Sequence, residues 1–141
     1  MIKDKILIYT DGACSGNPGP MGIGIILLSG THKRKISKYL GLGTNNIAEL
    51  SAILESLNSI KDKDREIEIY TDSMYCIGLF TKNWKPKKNV EIIDAIKEKL
   101  LEFKGVEFKK VKGHSDNLLN NEADRLAVNA AATRIDCDYY V

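Results

Sequence analysis

The 141-residue chain has few cysteines, no long apolar run and little net charge. Its three cysteines, Cys14, Cys76 and Cys137, are odd in number and form no Cys-x-x-Cys pattern, which favours reduced thiols over a disulfide framework. No apolar segment approaches the roughly eighteen residues that a membrane span requires, and the alternating charges from Lys3 to Ile6 do not form a secretory signal. We therefore expect a soluble cytoplasmic protein.

The net charge of +2 is too small to identify a nucleic-acid binder, so the distribution of the charges matters more. No acid lies between Asp72 and Glu91, and that interval contains four lysines: Lys82, Lys85, Lys87 and Lys88. A second cluster without acids consists of Lys109, Lys110 and Lys112. Each cluster is compatible with nucleic-acid contact and also with an ordinary solvated surface.

The chain also lacks any low-complexity or Pro/Gly/Ser-rich linker, and its length is near the commonest size of a single domain. Strands are predicted over about residues 5–11, 22–28, 33–42, 66–72 and 106–111. Apolar residues at helical spacing predict helices that begin near residues 46 and 89 and one around residues 123–132, and a short helix should follow Ser73. This order predicts a mixed sheet covered by helices, followed by a tail that is either frayed or packed as a strap.

Two predicted strands end on the same four residues, Ile-Tyr-Thr-Asp, at positions 8–11 and 69–72. Ligands of open α/β sheets gather outside the carboxyl ends of the strands, where Asp11 and Asp72 would lie. Aspartate is also an ordinary residue at the end of a strand, so neither acid is informative alone. As a pair they predict a metal site.

Two further acids have competing explanations. Glu49 fits a capping box that begins at Asn46, and Asp124 lies near the start of the last helix, where the helix dipole favours a carboxylate. The loop before Asp124 contains His114, which is incidental in most such loops but suits proton transfer beside a phosphate leaving group. The combination of four acids with this histidine is what points to a catalytic site.

Five segments of the chain, in family order, resemble ribonuclease HI, the nuclease that cuts the RNA strand of RNA/DNA hybrids. They are residues 9–20 (YTDGACSGNPGP), 44–50 (TNNIAEL), 71–73 (TDS), 111–114 (VKGH), and Asn120 with Asp124. The resemblance implies a ribonuclease H-like α/β fold, with a mixed five-stranded sheet flanked by helices on both faces. It implies a catalytic domain over residues 1–132 and a C-terminal tail over residues 133–141.

The resemblance also implies an endoribonuclease that works by a two-metal-ion mechanism and leaves 5′-phosphate and 3′-hydroxyl ends. The metal-binding carboxylates would be Asp11, Glu49, Asp72 and Asp124, and His114 would be a mobile residue that moves protons or helps to release product. The implied cofactor is two Mg²⁺ ions, with Mn²⁺ as a substitute, because hard cations about 4 Å apart clamp the attacking and leaving oxygens. Without metal, four neighbouring acids should raise at least one carboxylate pKa.

Substrate contacts follow from the same resemblance. One group faces the minor groove of the hybrid, where ribose 2′-hydroxyls are exposed, and consists of Cys14, Asn17, Asn45 and Asn46. Thr44 and Asn89 match a pocket for a phosphate of the DNA strand, and Trp84 is placed to stack on the sugars of that strand. Ordinary structural roles compete with these assignments: Asn89 suits a helix N-cap, Asn17 a turn, and Trp84 a half-buried anchor.

The chain departs from the family pattern at three places. Met74 stands where many bacterial relatives have a glutamine that contacts the hybrid, and Asn121 stands where a glutamate is common. Only residues 85–88 separate Trp84 from Asn89, where many relatives insert a basic helix and loop, so we expect a form without this basic handle. These changes concern the strength of binding and leave every implied metal ligand in place.

Two alternative functions remain open at this stage. Transposases and exonucleases share the fold and the clustered acids, although the minor-groove asparagines argue against them. A non-catalytic module that binds hybrids is the other alternative, and the four intact acids argue against it. We expect the protein to bind RNA/DNA hybrids as a monomer, without a membrane or an obligate protein partner.

Overall fold

The computed structural model describes residues 4–111 and 117–141. The elements in chain order are β1 (Ile6–Cys14), β2 (Gly19–Ser29), β3 (His32–Gly43), α1 (Asn45–Asn58), β4 (Glu66–Thr71), α2 (Met74–Thr81), α3 (Val90–Leu100), β5 (Gly105–Lys110), α4 (Leu118–Thr133) and β6 (Cys137–Tyr140). None of the helices in these two ranges is both long and apolar enough to cross a bilayer.

The strands form one mixed sheet in the order β5-β4-β1-β2-β3-β6. The first three strands are an antiparallel meander, and β4 and β5 run parallel to β1. The expected fold class is confirmed, with helices on both faces of a mixed sheet. The sheet has six strands where five were expected, because the segment after α4 adds one more at the edge.

This sixth strand resolves the alternatives for the tail. Residues 137–140 pair antiparallel with residues 34–37 of β3. The guanidinium of Arg34 donates two hydrogen bonds of 2.8 Å to the carboxylate of Asp138, and the backbone N–H of Val141 donates to the carbonyl of Lys33 at 2.8 Å. No alternation of apolar and polar residues predicts this strand, because all four residues of β6 are exposed and burial imposes no pattern on them.

The core occupies the face of the sheet that α1, α2 and α3 cover. Alternate strand residues point to opposite faces, so Ile8 and Ile69 lie in this core whereas Tyr9 faces the other way. On that other face, Tyr9 and Ile26 pack with Ala123 of α4 in a smaller cluster. The strands that lead to the paired aspartates are therefore packed on both faces of the sheet.

Two glycines let α4 approach the sheet closely. A Cβ atom at Gly24 would lie 2.0 Å from the carbonyl oxygen of Ala123, and one at Gly22 would lie 2.1 Å from that of Ala127. No side chain fits at such distances. Because Gly24 pairs with Asp11 on β1, this close approach brings α4 beside the strand end that carries Asp11.

Candidate active site

The two Ile-Tyr-Thr-Asp segments lie side by side in the sheet. β1 and β4 are parallel, with Ile8 opposite Ile69 and Tyr9 opposite Tyr70. The rings of Tyr9 and Tyr70 stack with centroids 4.5 Å apart and an interplanar angle of 8°. Asp11 lies two residues further along β1, and Asp72 is the first residue after β4, so this register brings the two aspartates side by side.

Glu49 reaches the same place from α1. The N-cap of α1 is Thr44, whose hydroxyl accepts a hydrogen bond of 3.2 Å from the N–H of Ile47. The predicted capping box at Asn46 is therefore wrong, because the helix begins earlier and Glu49 is its fifth residue. The carboxylate of Glu49 instead accepts a hydrogen bond from the backbone N–H of Gly12 on β1.

Gly12 makes this contact between strand and helix sterically feasible. A Cβ atom at this position would lie 2.4 Å from the carbonyl carbon of Ala48 and from the nitrogen of Glu49. The same N–H also donates to Oδ1 of Asp11 at 2.9 Å, so one backbone donor serves two carboxylates. Sequence reasoning did not single out Gly12, although a glycine within a strand can signal a close backbone approach.

Asp11, Glu49 and Asp72 form one compact cluster. Each offers a carboxylate oxygen that lies within 4.8 Å of the others, and Asp11 is only 6% exposed. Asp124 lies on α4, close enough to Asp11 to help raise the pKa of that carboxyl group. The structure thus brings all four predicted acids to one edge of the sheet.

Asp124 does not lie where a helix dipole would explain it. It is the seventh residue of α4, and the first turn of that helix contains no acid. The attraction of a carboxylate to a helix N-terminus falls off within the first turn. The dipole alternative therefore loses its support, and the proximity of Asp124 to Asp11 is the more informative fact.

Burial and mutual repulsion dominate the electrostatics of the cluster. Burial, followed by the charge of Glu49, raises the pKa of Asp11 far above its usual value of 3.8. Burial also raises the pKa of Glu49, although hydrogen bonds with Asp11 and from Gly12 oppose the rise. The two carboxyl groups titrate as a pair, and without a cation this pair retains a proton at neutral pH.

A hydrogen bond joins two of the predicted minor-groove residues. Oδ1 of Asn17 accepts a hydrogen bond of 3.1 Å from the backbone N–H of Asn45, which ties the loop after β1 to the start of α1. The thiol of Cys14 lies 3.4 Å from the carbonyl oxygen of Gly19 and 3.3 Å from that of Gly43. Asn17, Asn45 and Asn46 are exposed.

Thr44 and Asn89, the predicted phosphate pair, have different local roles. The hydroxyl of Thr44 already caps α1, as described above. Asn89 occupies the N-cap position of α3 with φ at 62°, but its side chain makes no capping hydrogen bond. Its amide instead donates to the hydroxyl of Tyr75 at 3.3 Å, so Asn89 is the N-cap by position while its side chain contacts α2.

Trp84 is both anchored and partly exposed. A Cβ atom at Gly78 would lie 2.0 Å from the indole ring, so the ring rests directly on the backbone of α2. The backbone N–H of Trp84 donates to the carbonyl of Gly78 at 3.2 Å. The ring is still 44% exposed, which agrees with the half-buried anchor and leaves one part of the ring open to a ligand. His114 and Lys112 lie outside the described residues.

Comparison with known proteins decides the family. A profile of the RNase H family matches residues 3–132. The chain belongs to the RNase H family. The ribonuclease H of Chlorobium phaeobacteroides strain BS1 is 41% identical over 143 residues, which cover 92% of this chain and 97% of that protein. The ribonuclease H of Clostridium botulinum strain Hall is 44% identical, with 89% of this chain and 95% of that one covered.

Solved structures of RNase H1 proteins are similar as well. RNase H1 of the halophilic archaeon Halobacterium salinarum NRC-1 superposes with a TM-score of 0.79 at 28% identity, covering 93% of this chain and 99% of that one. LC11-RNase H1 in complex with an RNA/DNA hybrid gives a TM-score of 0.74 at 28% identity, covering 92% and 99%.

This RNase H lacks the basic handle, as expected. Between α2 and α3 only residues 82–89 remain, and they contain no helix. All four lysines of the loop are exposed. The loop contains Trp84 and ends at Asn89, so the lysines accompany the residues expected to meet the DNA strand.

The donor set of the cluster suits a divalent metal in this RNase H. The candidate ligand atoms of Asp11, Glu49 and Asp72 are carboxylate oxygens, which hard cations prefer to nitrogen or sulfur. Burial raises the pKa of the nearby Cys76 thiol to about 12, so that it stays protonated and offers no thiolate. A bound cation would also relieve the repulsion that raises the pKa of Asp11.

Proposed function

We propose that the protein is an endoribonuclease that hydrolyses the RNA strand of RNA/DNA hybrids and leaves 5′-phosphate and 3′-hydroxyl ends. One observation carries this proposal: Asp11, Glu49 and Asp72 hold carboxylate oxygens within 4.8 Å of one another in a chain of the RNase H family. Clustering three acids is costly unless a cation neutralises them, so the cluster favours a catalytic role over a purely structural one.

The residues that would hold metal are Asp11, Glu49, Asp72 and Asp124, and the proposed cofactor is Mg²⁺, two ions per site, with Mn²⁺ as a substitute. Ions held by these carboxylates would supply an activated water and would stabilise charge on the attacking and leaving oxygens. Glu49, Asp72 and Asp124 all help to raise the pKa of Asp11, so a cation held by these acids would act strongly on Asp11. Gly12 fixes the orientation of two of these carboxylates through its N–H.

His114 is proposed to exchange a proton with the leaving group or to assist release of the product. Its support is its place in the chain, ten residues before Asp124, and the suitability of imidazole for proton transfer near neutral pH.

The hybrid is proposed to lie along the edge that carries the acids. Cys14, Asn17, Asn45 and Asn46 surround the minor groove, where hydrogen bonds to 2′-hydroxyls distinguish the RNA strand. Thr44 and Asn89 contact a phosphate of the DNA strand, and Trp84 stacks on its sugars. LC11-RNase H1, whose fold is similar, forms a complex with an RNA/DNA hybrid, and this supports the same substrate here.

We further propose that one copy of the chain is sufficient and that it acts in the cytoplasm. All four acids come from a single chain, which supports a monomeric enzyme. Reduced cysteines support the cytoplasm, since Cys137 is exposed and the described cysteines form no disulfide.

One gel tests the proposal and separates it from both alternatives. An RNA/DNA hybrid uniformly labelled in the RNA strand is incubated with protein and Mg²⁺, alongside single-stranded RNA, duplex DNA and a reaction with EDTA. We expect internal cleavage of the hybrid RNA only, and none with EDTA. Binding of the hybrid without cleavage would identify a binding module, whereas cleavage of duplex DNA would identify a transposase or an exonuclease.

A further inference from the structure

A cavity of about 450 Å³ lies at the end of the sheet opposite the carboxylates. It forms where β1 begins, β2 ends, β3 begins and α1 ends. Ile6 lines it, and Ile6 and Asp11 are five residues apart on β1, which is roughly 17 Å along a strand. The cavity is therefore separate from the carboxylate cluster, and none of the proposed metal-binding or hybrid-binding residues lines it.

Positive charge predominates on the cavity wall. Three basic side chains line it, Arg34, Lys61 and Arg65, together with His32 and a single acid, Asp62. Arg34 is neutralised by Asp138, as described for β6. Lys61 is exposed and makes no ion pair with any described residue, whereas Asp62 accepts a hydrogen bond of 3.1 Å from the N–H of Asp64.

Arg65 is held in place by uncharged acceptors. Its Nε donates to the carbonyl of Asp4 at 2.5 Å, and its Nη2 donates to the hydroxyl of Ser29. Both acceptors are uncharged, and a guanidinium has five N–H groups in all. The side chain is therefore fixed by two hydrogen bonds and retains N–H groups for an anion.

The remainder of the cavity is apolar with hydroxyl groups at its margin. Ile6, Leu27 and Ile60 form a floor in which each residue is less than a tenth exposed. The ring of Tyr140 forms a wall, with Ser29 and Ser59 nearby. An apolar floor with a few polar groups and cations at the rim is the composition of a site for a small amphipathic anion.

We propose that this cavity binds a phosphate ester on a flat apolar body, of the size of a 5′-mononucleotide. Lys61 and Arg65 hold the phosphate, because a guanidinium fork and an ammonium together match its oxygens. The base lies on the floor of Ile6, Leu27 and Ile60. The volume is in the range that such ligands occupy.

The C-terminal strand completes the site. Tyr140 pairs with Arg34 across β3 and β6, and the guanidinium of Arg34 lies 5.5 Å from the centre of the Tyr140 ring. The hydrogen bonds between Arg34 and Asp138 fix the same strand. Without β6 the cavity would lose one wall, so the tail contributes to binding and not only to the edge of the sheet.

Calorimetric titration of adenosine 5′-monophosphate into metal-free protein tests the proposal. We expect saturable binding of one nucleotide per chain, at least tenfold weaker binding of adenosine, and at least tenfold weaker nucleotide binding by Lys61→Glu and Tyr140→Ala. Asp11→Asn should bind normally because it alters only the carboxylate cluster. Lys97→Glu is the matched control, since it makes the same charge change on an exposed residue of α3.

Melting temperatures of the variants without nucleotide show that each one folds, and hybrid cleavage by Lys61→Glu should equal that of the wild type. Absence of saturable binding at millimolar nucleotide would overturn the proposal, as would unchanged binding by Lys61→Glu or binding lost in Asp11→Asn. Inorganic phosphate that binds as tightly as the nucleotide would overturn the role of the apolar floor. A 5′-phosphorylated dinucleotide that binds as tightly as the mononucleotide would identify the end of an oligonucleotide as the source, and weaker binding would identify free nucleotides.

Discussion

Gly12 donates its backbone N–H to the carboxylate of Glu49 across the junction between β1 and α1. The distance allows no side chain at position 12, and the same N–H reaches Asp11. The spacing of two acids that are remote in sequence is thus set by one backbone group. The site depends on backbone packing as much as on the identity of its acids.

Asp11→Asn should abolish cleavage and raise the melting temperature of the metal-free protein at neutral pH. The folded state raises the pKa of Asp11, so the stability associated with its protonated form is complete below about pH 4 and is lost as the pH rises toward the folded-state pKa. Asparagine stays neutral throughout. The gain over the wild type should therefore be small at pH 4 and larger at pH 7, as measured by thermal melts in EDTA. Substantial residual cleavage would contradict the metal-site assignment.

Glu49→Gln should remove most of the Mg²⁺-dependent activity with little change in melting temperature. Glutamine serves in a capping box, but it lacks the negative charge that a metal ligand provides. Thr44→Ala is the contrasting variant, because it removes the observed cap and should cost about 1 kcal/mol of stability. Thermal melts and hybrid-cleavage rates of both variants decide between a metal-binding role and a capping role for Glu49. A lower melting temperature with activity retained in Glu49→Gln would favour a structural role for Glu49.

Gly24→Ala should destabilise the protein and reduce activity together. The added methyl group would meet the backbone of α4 at 2.0 Å, so the helix must shift, and overpacking of this kind typically costs about 1–3 kcal/mol. The shift would move Asp124 away from Asp11. Gly105→Ala is the control, because nothing lies within 4 Å of its added methyl group. Chemical denaturation and cleavage assays on both variants test this, and equal effects would show that packing against β2 does not position Asp124.

Replacing Lys85, Lys87 and Lys88 together by alanine should raise KM several-fold and leave kcat at saturation little changed. Phosphate contacts supply affinity without touching the metal site, and each one lost should reduce the slope of log affinity against log salt by roughly one unit. Both parameters are measured across a salt series. The control is a triple alanine variant at Lys61, Lys97 and Lys104, which removes the same amount of positive charge elsewhere on the surface. Unchanged KM and slope would show that the hybrid is held elsewhere, with Lys109, Lys110 and Lys112 the next cluster to test.

The order of elements and the paired aspartates could be predicted because each rests on a local pattern. Strand alternation and the repeated Ile-Tyr-Thr-Asp segments are visible in any window that contains them, and parallel pairing places the ends of β1 and β4 at one edge. The family motifs then added Glu49 and Asp124. Neither acid could be assigned by its own neighbours, since each had an ordinary explanation at a helix start.

What could not be predicted depends on contacts between distant segments. The N-cap of α1 is Thr44 and not Asn46, because the strand before α1 ends at Gly43 and this sets where the helix can begin. The contacts of Gly12 and Gly24 with helices involve residues 37 and 99 positions away, and no local pattern marks them. The sixth strand is specified by its pairing with β3 alone, so its own four exposed residues carry no signal.

The position of β6 has a consequence for the behaviour of the protein in concentrated solution. β3 is twelve residues long, and an uncovered strand of that length is a template on which another chain can add a strand. β6 occupies only residues 34–37 of this edge, and charged side chains at Lys33 and Lys38 flank the covered part. The charged side chains and the short strand β6 therefore both oppose self-association at this edge. Loss of the last residues would therefore show first as concentration-dependent light scattering, before any loss of cleavage.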